Sequence, residues 1–353
     1  MTSPTDAPRR TPAGGIGLFL RRHRGVVPYL LLAPGLLWLA MFYIWPAVQM
    51  FVSSFWSGSV ERGFTFSLDN WTTYPAALER YTVQFERSIL YAGAATILTF
   101  MIAYPLAYAI AFRGGRLKNL LLFLVVAPFF TSFLLRTISW KIILGDDGLV
   151  FGPLKSLGFV DESFRVLATP IAVISGITYN FLPFMVLPIY VSLEKIDQRL
   201  VEAAEDLYAG PWRPGGTVAG AVASGLLFAI LGVAFDYSIP VMAAAGAAIG
   251  AIVGTLFLSE AFVRVTLPLS LPGVFAGSLL VFIPALGDYV NAALLGNPGT
   301  NMIGNVIQSR FLVNNDYPTA SALSFILMVA ILAAVAIYAR LLGTESLTEG
   351  RRI

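Results

Sequence analysis

The amino-acid sequence predicts an all-α integral membrane protein whose chain crosses the bilayer several times. Hydrophobic residues make up 57% of the chain and charged residues only 12%, with a mean hydropathy of +0.76. Soluble domains carry about a quarter charged residues. The charged residues also cluster between long uncharged stretches, most of which reach the roughly 20 apolar residues that cross a hydrocarbon core.

Eight uncharged stretches are candidate spans. The third is short, and we expect it to continue past Arg136 toward Trp140, with the arginine stem reaching the polar head groups at an interface. The eight stretches are residues 25–60, 88–112, 119–135, 166–193, 214–235, 237–259, 265–287 and 317–339.

The distribution of basic residues predicts that both termini lie in the cytosol. Loops rich in Lys and Arg resist translocation and stay on the cytosolic side. With the N-terminus inside, most of the 23 Lys and Arg residues fall in cytosolic segments. The net charge of +3 therefore reflects topology, and nucleic-acid binding is not expected.

Residues 1–24 and 343–353 are predicted to be cytosolic tails. The first is polar, contains Pro and Gly, and is expected to be partly disordered. It shows no signal-peptide cleavage pattern, and the apolar stretch after it is too long for a removable signal, so a retained first helix is expected. The single histidine, His23, lies between Arg22 and Arg24 and is expected to be solvated or lipid-facing rather than a ligand.

The predicted outer loop, residues 61–87, carries Trp71, Tyr74, Tyr81 and Phe85. Aromatic residues of this kind are typical of a short element at the membrane interface. Interfacial anchoring is the favoured interpretation, and docking of an external receptor is the alternative.

Several predicted spans contain proline near their centres. Proline removes a backbone donor and bends its helix, a defect that neighbouring helices or a water-lined cavity can satisfy. Such helices often line a transport route, although proline is also simply commoner in membrane helices than in soluble ones. The residues are Pro105, Pro128, Pro183, Pro188 and Pro284.

Residues 194–212 form the densest cluster of charge in the chain and are predicted to be an amphipathic helix. Asp197 is its candidate N-cap, and Gly210 followed by Pro211 is a stop signal. An apolar face opposite an acidic one suits docking into a groove on a cytosolic partner. The apolar face comprises Leu200, Ala204, Leu207 and Tyr208, and the acidic residues are Glu202, Glu205 and Asp206.

The run at residues 202–207 (EAAEDL) and the later run at 266–269 (TLPL), with Pro272 and Gly273, resemble the signature cytoplasmic loop of ABC importer permeases. Other segments are similar to the spermidine/putrescine-type subgroup, so the resemblance covers most of residues 25–342. These segments are residues 136–148, 180–196 and 282–304.

The resemblance implies a six-span permease core whose cytosolic helix is a coupling helix, seated in a cleft of an ATP-hydrolysing subunit. It also implies a second permease chain and an external substrate-binding protein as partners, with a polyamine such as spermidine or putrescine as the favoured cargo. The ATPase-coupling residues that it indicates are Glu202, Ala203, Ala204, Asp206, Leu207, Tyr208 and Gly210.

The chain departs from the family pattern in two ways. Tyr208 stands where the family usually has glycine, so Gly210 is expected to form the turn after the coupling helix. Leu267 lies 65 residues beyond Glu202, much farther than the family's Leu-Pro pair normally follows. Removing residues 214–260, a block of 47, restores the spacing. The chain is therefore interpreted as a six-span permease with a block inserted in its coupling loop.

The inserted block itself is predicted to be an apolar helical hairpin, which brings the total to about eight spans. Its two apolar stretches flank residues 236–240, and an out-and-back crossing leaves the later topology unchanged. Gly246, Gly250 and Gly254 recur every four residues, a spacing that lets helix backbones approach closely or that arises by chance. A natural elaboration, an inactive paralogue and an artificial modification all remain open as origins.

The sequence carries no enzymatic constellation. It has no phosphate-binding GxxxxGK[ST] loop, so ATP hydrolysis is expected in a separate chain. It has no cysteine and no cluster of carboxylates and imidazoles at metal-binding spacing, and no cofactor or metal is expected.

Candidate substrate-path residues lie at the outer ends of the predicted spans. Asp288 follows a long uncharged stretch and precedes Tyr289, a pairing that suits a polyamine through charge and cation–π attraction. The alternative for Asp288 is capping or hydrogen bonding within a loop. Trp140 with Asp146 and Asp147 forms the second candidate group.

The leading hypothesis is thus a transport subunit of a bacterial inner-membrane ABC importer. A self-contained secondary transporter or channel is the alternative, although intramembrane charges are sparse. An inactive permease paralogue also stays open, and a membrane-embedded enzyme lacks visible catalytic residues.

Overall fold

The computed structural model describes residues 27–158, 161–207, 246–247 and 262–341. Within these residues, five helical segments are long and apolar enough to cross a membrane, or six if one sharply bent pair is counted as a single span. The predicted mostly helical membrane fold is therefore confirmed. The two predicted tails and nearly all of the 214–260 block lie outside the described residues.

The helices are numbered here in chain order. They are α1 (Val27–Leu39), α2 (Trp45–Ser53), α3 (Thr73–Tyr108), α4 (Lys118–Val126), α5 (Phe133–Ile143), α6 (Phe151–Ser156), α7 (Pro170–Glu194), α8 (Gln198–Leu207), α9 (Leu267–Leu286), α10 (Val290–Leu295), α11 (Ile303–Leu312) and α12 (Tyr317–Leu341). Short π-helical turns lie at Ala40–Ile44, Ala109–Arg113 and Phe262–Thr266, and 3₁₀ turns at Leu68–Thr72, Gly115–Leu117, Ala127–Phe130 and Pro298–Thr300. Two strands, β1 (Trp56–Ser59) and β2 (Gly63–Phe66), complete the described elements.

The core is built from α3, α7 and α9, which pack extensively against one another. Small residues allow the close approach of α9 to α7. A Cβ added at Gly273 would overlap the carbonyl oxygen of Pro188 and the hydroxyl of Ser192, and one at Gly277 would crowd Met185. The glycines of α9 therefore set the distance between these two spans.

The third predicted span is broken. The segment Gly115–Phe130 meets α5 at an angle of 97°, because Thr131 and Ser132 adopt extended backbone angles after the Ala127–Phe130 turn. Pro128 lies in that turn, so this proline marks a real break. Pro183 and Pro188, by contrast, lie within the continuous helix α7.

Arg136 does not take the expected path toward lipid head groups. Its side chain is only 9% exposed, and its guanidinium lies 5.0 Å from the ring centroid of Phe129 and 5.7 Å from that of Phe133. Attraction between the cation and the aromatic faces holds the side chain inside the fold.

The predicted outer loop and the residues just before it contain a β-hairpin that was not predicted from the sequence. β1 and β2 pair antiparallel, and Trp56 stacks on Phe64 with centroids 5.6 Å apart. Of the four aromatic residues expected at the membrane interface, Trp71 is 63% exposed, whereas Tyr81 and Phe85 are buried. The anchoring interpretation therefore fits Trp71 and is wrong for the two buried rings.

Candidate functional site

The helix α8 forms at the predicted place. Asp197 accepts a hydrogen bond at 3.0 Å from the backbone N–H of Arg199, as an N-cap does. Only three residues, 195–197, separate α8 from the end of α7. A displacement of α8 would therefore act directly on that span.

The apolar residues of α8 divide between two faces. Val201 and Ala204 are buried against the rest of the chain, whereas Leu200 is 54% exposed and Leu207 is 77% exposed. The predicted single face of Leu200, Ala204 and Leu207 is therefore wrong in detail. Leu200, Ala203 and Leu207 fall at helical spacing on the outer side, where they form what we call the outer apolar face.

Acidic residues border this outer apolar face. Glu202 and Asp206 are both exposed. Tyr208, Gly210 and the side chain of Glu205 lie outside the described residues, so the turn that ends the helix stays a prediction. A solvent-exposed apolar stripe flanked by carboxylates is suited to a groove with an apolar floor and basic rims.

An ion pair links two spans near the level of α8. Lys118 at the start of α4 donates to Glu194 at the end of α7 across 2.7 Å, and its ammonium group lies 5.2 Å from the ring centroid of Tyr190. The broken third span is thus attached to the helix that leads into α8.

Asp288 belongs to a buried polar cluster made with Asn291, Asn180 and Thr137. The two Asp288 carboxylate oxygens accept hydrogen bonds from the backbone N–H and the Nδ2 group of Asn291, at 2.9 and 2.6 Å. Asn180 Nδ2 donates to Asn291 Oδ1 and to Thr137 Oγ1, both at 3.1 Å. The cluster ties α10 to α5 and α7, and Asp288 acts within it as the capping alternative describes.

The sequence analysis missed Asn180, Asn291 and Thr137. The signal that could have found Asn180 is its amide in an otherwise apolar span, because a polar group at that depth needs a partner. Its Oδ1 atom, Thr178 Oγ1 and two guanidinium nitrogens of Arg136 are buried and have no hydrogen-bond partner among the described residues.

Tyr289 faces a different region from its neighbour Asp288. Its side chain is 45% exposed and lines a cavity of about 600 Å³ together with Tyr43, Gln308 and Phe311. The predicted pairing of a carboxylate with the adjacent aromatic ring is therefore not formed, because Asp288 is bonded to α10 instead.

Trp140 packs on α7. Its indole stacks on Tyr179 with centroids 5.2 Å apart and planes 3° from parallel, and its Nε1 donates to Ser175 Oγ at 3.1 Å. The Trp140 ring is half-buried.

Asp146 and Asp147 line a separate polar cavity of about 380 Å³. Asp146 is paired with Lys155 at 3.0 Å and with Arg165 at 3.1 Å. Its charge is balanced by these two cations, and a polyamine would have to displace them. The structure therefore does not join the five predicted path residues into one site.

Asp161, in the loop that follows, is also satisfied locally. The hydroxyl and the backbone N–H of Ser163 donate to Asp161 Oδ1, at 2.5 and 2.8 Å. These hydrogen bonds hold the pKa of the Asp161 carboxyl below its usual value. The loop consequently keeps this negative charge at any pH near neutrality.

No group of three His, Cys, Asp or Glu side chains is placed to hold a metal ion within the described part of the chain.

Curated relatives of the chain are transport permeases. The spermidine/putrescine transport system permease protein PotB of Haemophilus influenzae is 33% identical over 311 residues, covering 86% of this chain and 90% of the relative. PotB of Escherichia coli is 31% identical over 306 residues, covering 86% and 93%. The chain belongs to the spermidine/putrescine-type family of ABC importer permeases.

A third member of this wider family matches over nearly the full length. The inner membrane ABC transporter permease protein YdcU of Escherichia coli is 24% identical over 364 residues, covering 97% of this chain and 98% of YdcU. No protein-family model matches the chain.

Solved structures show the same fold. A bacterial ABC transporter that imports the acidic polysaccharide alginate contains a chain with a TM-score of 0.54 and 16% identity, covering 92% of this chain and 98% of the other. A second structure, of an alginate transporter in complex with an alginate-bound periplasmic protein, gives a TM-score of 0.51 at 15% identity. The helical arrangement of the described residues is thus that of the permease family.

Proposed function

We propose that this chain is a transmembrane permease subunit of an ABC importer in the bacterial inner membrane, and that its cargo is a polyamine such as spermidine or putrescine. The observation that carries the proposal is the relation to PotB over most of both chains. The outer apolar face of α8 supports it, because an exposed apolar stripe on a cytosolic helix needs a partner to cover it.

The proposed partners follow from that role. ATP is hydrolysed by separate cytosolic subunits, a second permease chain completes the path across the membrane, and an external binding protein delivers the cargo. When the ATPase subunits bind ATP and close, they displace α8. The displaced helix reorients the spans so that the path opens alternately to the two sides of the membrane.

The proposed topology has both termini in the cytosol. Residues 25–213 form the first part of the core and end in the coupling helix, residues 261–342 form the second part, and residues 1–24 and 343–353 are tails. Residues 214–260 form an added hairpin, giving about eight spans in total. Parity supports this division, since a hairpin that crosses out and returns leaves the six core spans in their orientation.

The proposed route passes the polar cluster at Asp288. Its carboxylate makes no ion pair with a basic residue among the described side chains. It is buried and bonded to Asn291, so a passing cation would have to open this cluster to reach it. Tyr289 and Trp140 are proposed to supply aromatic surfaces along the route. Most of the selectivity is assigned to the binding protein.

Uptake of radiolabelled solutes by cells lacking this chain tests the function. We expect uptake of spermidine or putrescine to fall to background in the deletion strain and to recover when the chain is supplied, while amino-acid uptake is unchanged. Recovery of uptake without any ATPase, or in a strain whose ATPase is inactivated, would favour a self-contained transporter instead.

Deletion of residues 214–260 tests the proposed insertion. We expect the shortened chain to bind its ATPase as well as the full chain or better, because the deletion joins the coupling helix to residue 261 at the spacing of the family. Binding is measured by co-purification from membranes. Loss of the ATPase from the shortened chain, with the chain still present in the membrane, would contradict an added block.

A further inference from the structure

The coupling helix rests on the start of span α9. α8 packs against the π-helical turn Phe262–Thr266, and Val201 on its buried face belongs to the same apolar cluster as Phe262. Phe262 is itself only 9% exposed. Phe262 therefore lies in the segment of the span on which α8 packs.

Phe262 also touches a second span, α3. Its ring lies edge-on to Tyr104 at 5.4 Å between centroids and edge-on to Tyr108 at 6.1 Å. Edge-to-face contacts of this kind are attractive and directional. Phe262 thus contacts α3 from the turn on which the coupling helix packs.

A hydrogen bond between Tyr104 and Ser270 provides a second contact between α3 and the α9 span. The Tyr104 hydroxyl and Ser270 Oγ lie 2.7 Å apart, and the two side chains are 4% and 0% exposed. Because both groups are buried away from water, separating them costs more than breaking a surface hydrogen bond. The Tyr104 side chain therefore connects α3 to α9 through Ser270 and also contacts the Phe262 ring.

The helices that meet here share an irregularity. α9 is preceded by the π-helical turn Phe262–Thr266, and α3 is followed by another at Ala109–Arg113. π-helical turns are rare, frequently mark functional sites, and are places where long helices bend. The two spans are consequently more easily tilted at this level than along their regular helical parts.

We propose that Phe262 and Tyr104 are positioning residues that transmit the displacement of the coupling helix into α3 and α9. The inference rests on the proposed importer function and names the contact by which ATP hydrolysis moves the path. A buried, close-packed ring cannot be compressed, so it converts a push from α8 into movement of both spans. The hydrogen bond between Tyr104 and Ser270 makes those spans move together.

The first test compares Phe262→Ala with Val263→Ala in the complete transporter reconstituted in proteoliposomes. Val263 is in the same turn but is 44% exposed, which makes it a matched control. We expect Phe262→Ala to keep its ATPase and to hydrolyse ATP, while solute taken up per ATP hydrolysed falls about tenfold. Phe262→Leu, which refills most of the volume, is expected to restore the ratio, and Val263→Ala to leave it unchanged.

The second test is a double-mutant cycle on the same ratio. Tyr104→Phe and Ser270→Ala are each expected to lower uptake per ATP about threefold, and the double variant to be no worse than either single one. Reductions that multiply in the double variant would show that the hydroxyl groups do not act through one hydrogen bond.

The outcomes separate this inference from the function on which it rests. A wild-type complex that retains no ATPase, or takes up solute without one, contradicts the importer function. In the other outcome, the wild-type complex transports normally while uptake and ATP hydrolysis by the Phe262→Ala variant fall in equal proportion or not at all. That outcome contradicts transmission through Phe262 and leaves the importer function standing.

Discussion

Leu207→Asp is expected to separate this chain from its ATPase, with affinity falling about 100-fold or more. Leu207 is 77% exposed at the C-terminal end of the outer apolar face, and a carboxylate there would be buried in the partner's groove without a cation. Glu202→Lys is also expected to lose the ATPase, because it reverses a charge on the acidic border. Co-purification from membranes measures both effects.

Gln198→Asp is the matched control for this substitution. It introduces the same charge on the exposed first turn of α8, where the helix dipole favours an acidic residue. We expect this variant to retain the ATPase. Equal retention by Leu207→Asp and Gln198→Asp would show that the outer apolar face is not the docking surface.

Asn291→Leu is expected to destabilise the folded chain by about 3 kcal/mol, since it removes the side-chain donor to the buried Asp288 carboxylate and the amide oxygen that accepts from Asn180. Asn291 is fully buried and bonds to α5, α7 and Asp288. The midpoint of thermal unfolding of the purified chain in detergent measures the loss. Transport is expected to fall with it, because α10 loses its attachment to α7.

Two comparisons give this prediction its specificity. Asn314→Leu, at an exposed loop position, is expected to leave the midpoint nearly unchanged. Adding Asp288→Asn to Asn291→Leu is expected to recover part of the loss, because a buried amide that lacks one hydrogen-bond partner costs less than a buried carboxylate that lacks one. A double variant less stable than Asn291→Leu alone would contradict the assigned role of the charge.

The helix α8 could be predicted from sequence because its signals are local. The cap at Asp197, the charge density and the apolar spacing all lie within one short segment, and the structure confirms the cap and the helix. Which apolar residues face inward could not be predicted. Leu200 and Val201 are both apolar neighbours, and only the position of the Phe262–Thr266 turn decides that Val201 is covered and Leu200 is not.

The polar cluster could not be predicted because its members are distant in sequence. Thr137, Asn180 and Asn291 come from three separate helices, and their contacts depend on the 97° break between α4 and α5. The capping of α10 by Asp288 was open to sequence reasoning as an alternative, since it involves residues only three positions apart.

The β-hairpin was missed for a different reason. Its strands are only four residues long, and the turn between them is residues 60–62. Gly58 and Gly63, which adopt positive φ angles, lie within the strands on either side of that turn. A short strand at the end of a long apolar stretch is predicted from sequence as the end of the membrane span, because the hydropathy of the whole stretch dominates the pattern. Only the pairing of β1 with β2 distinguishes the hairpin from the end of a span.

The central claim is that the outer apolar face of α8 is held by a cytosolic ATPase, and cross-linking from a single cysteine tests it most directly. The chain has no cysteine of its own, so Ala203→Cys and Val201→Cys each provide one thiol without further changes. We predict that a short thiol-reactive cross-linker joins Ala203→Cys to the ATPase subunit in membranes and that Val201→Cys, buried against the chain, gives no such product. Labelling of Ala203→Cys from the external side only, or equal cross-linking from both positions, would contradict the account.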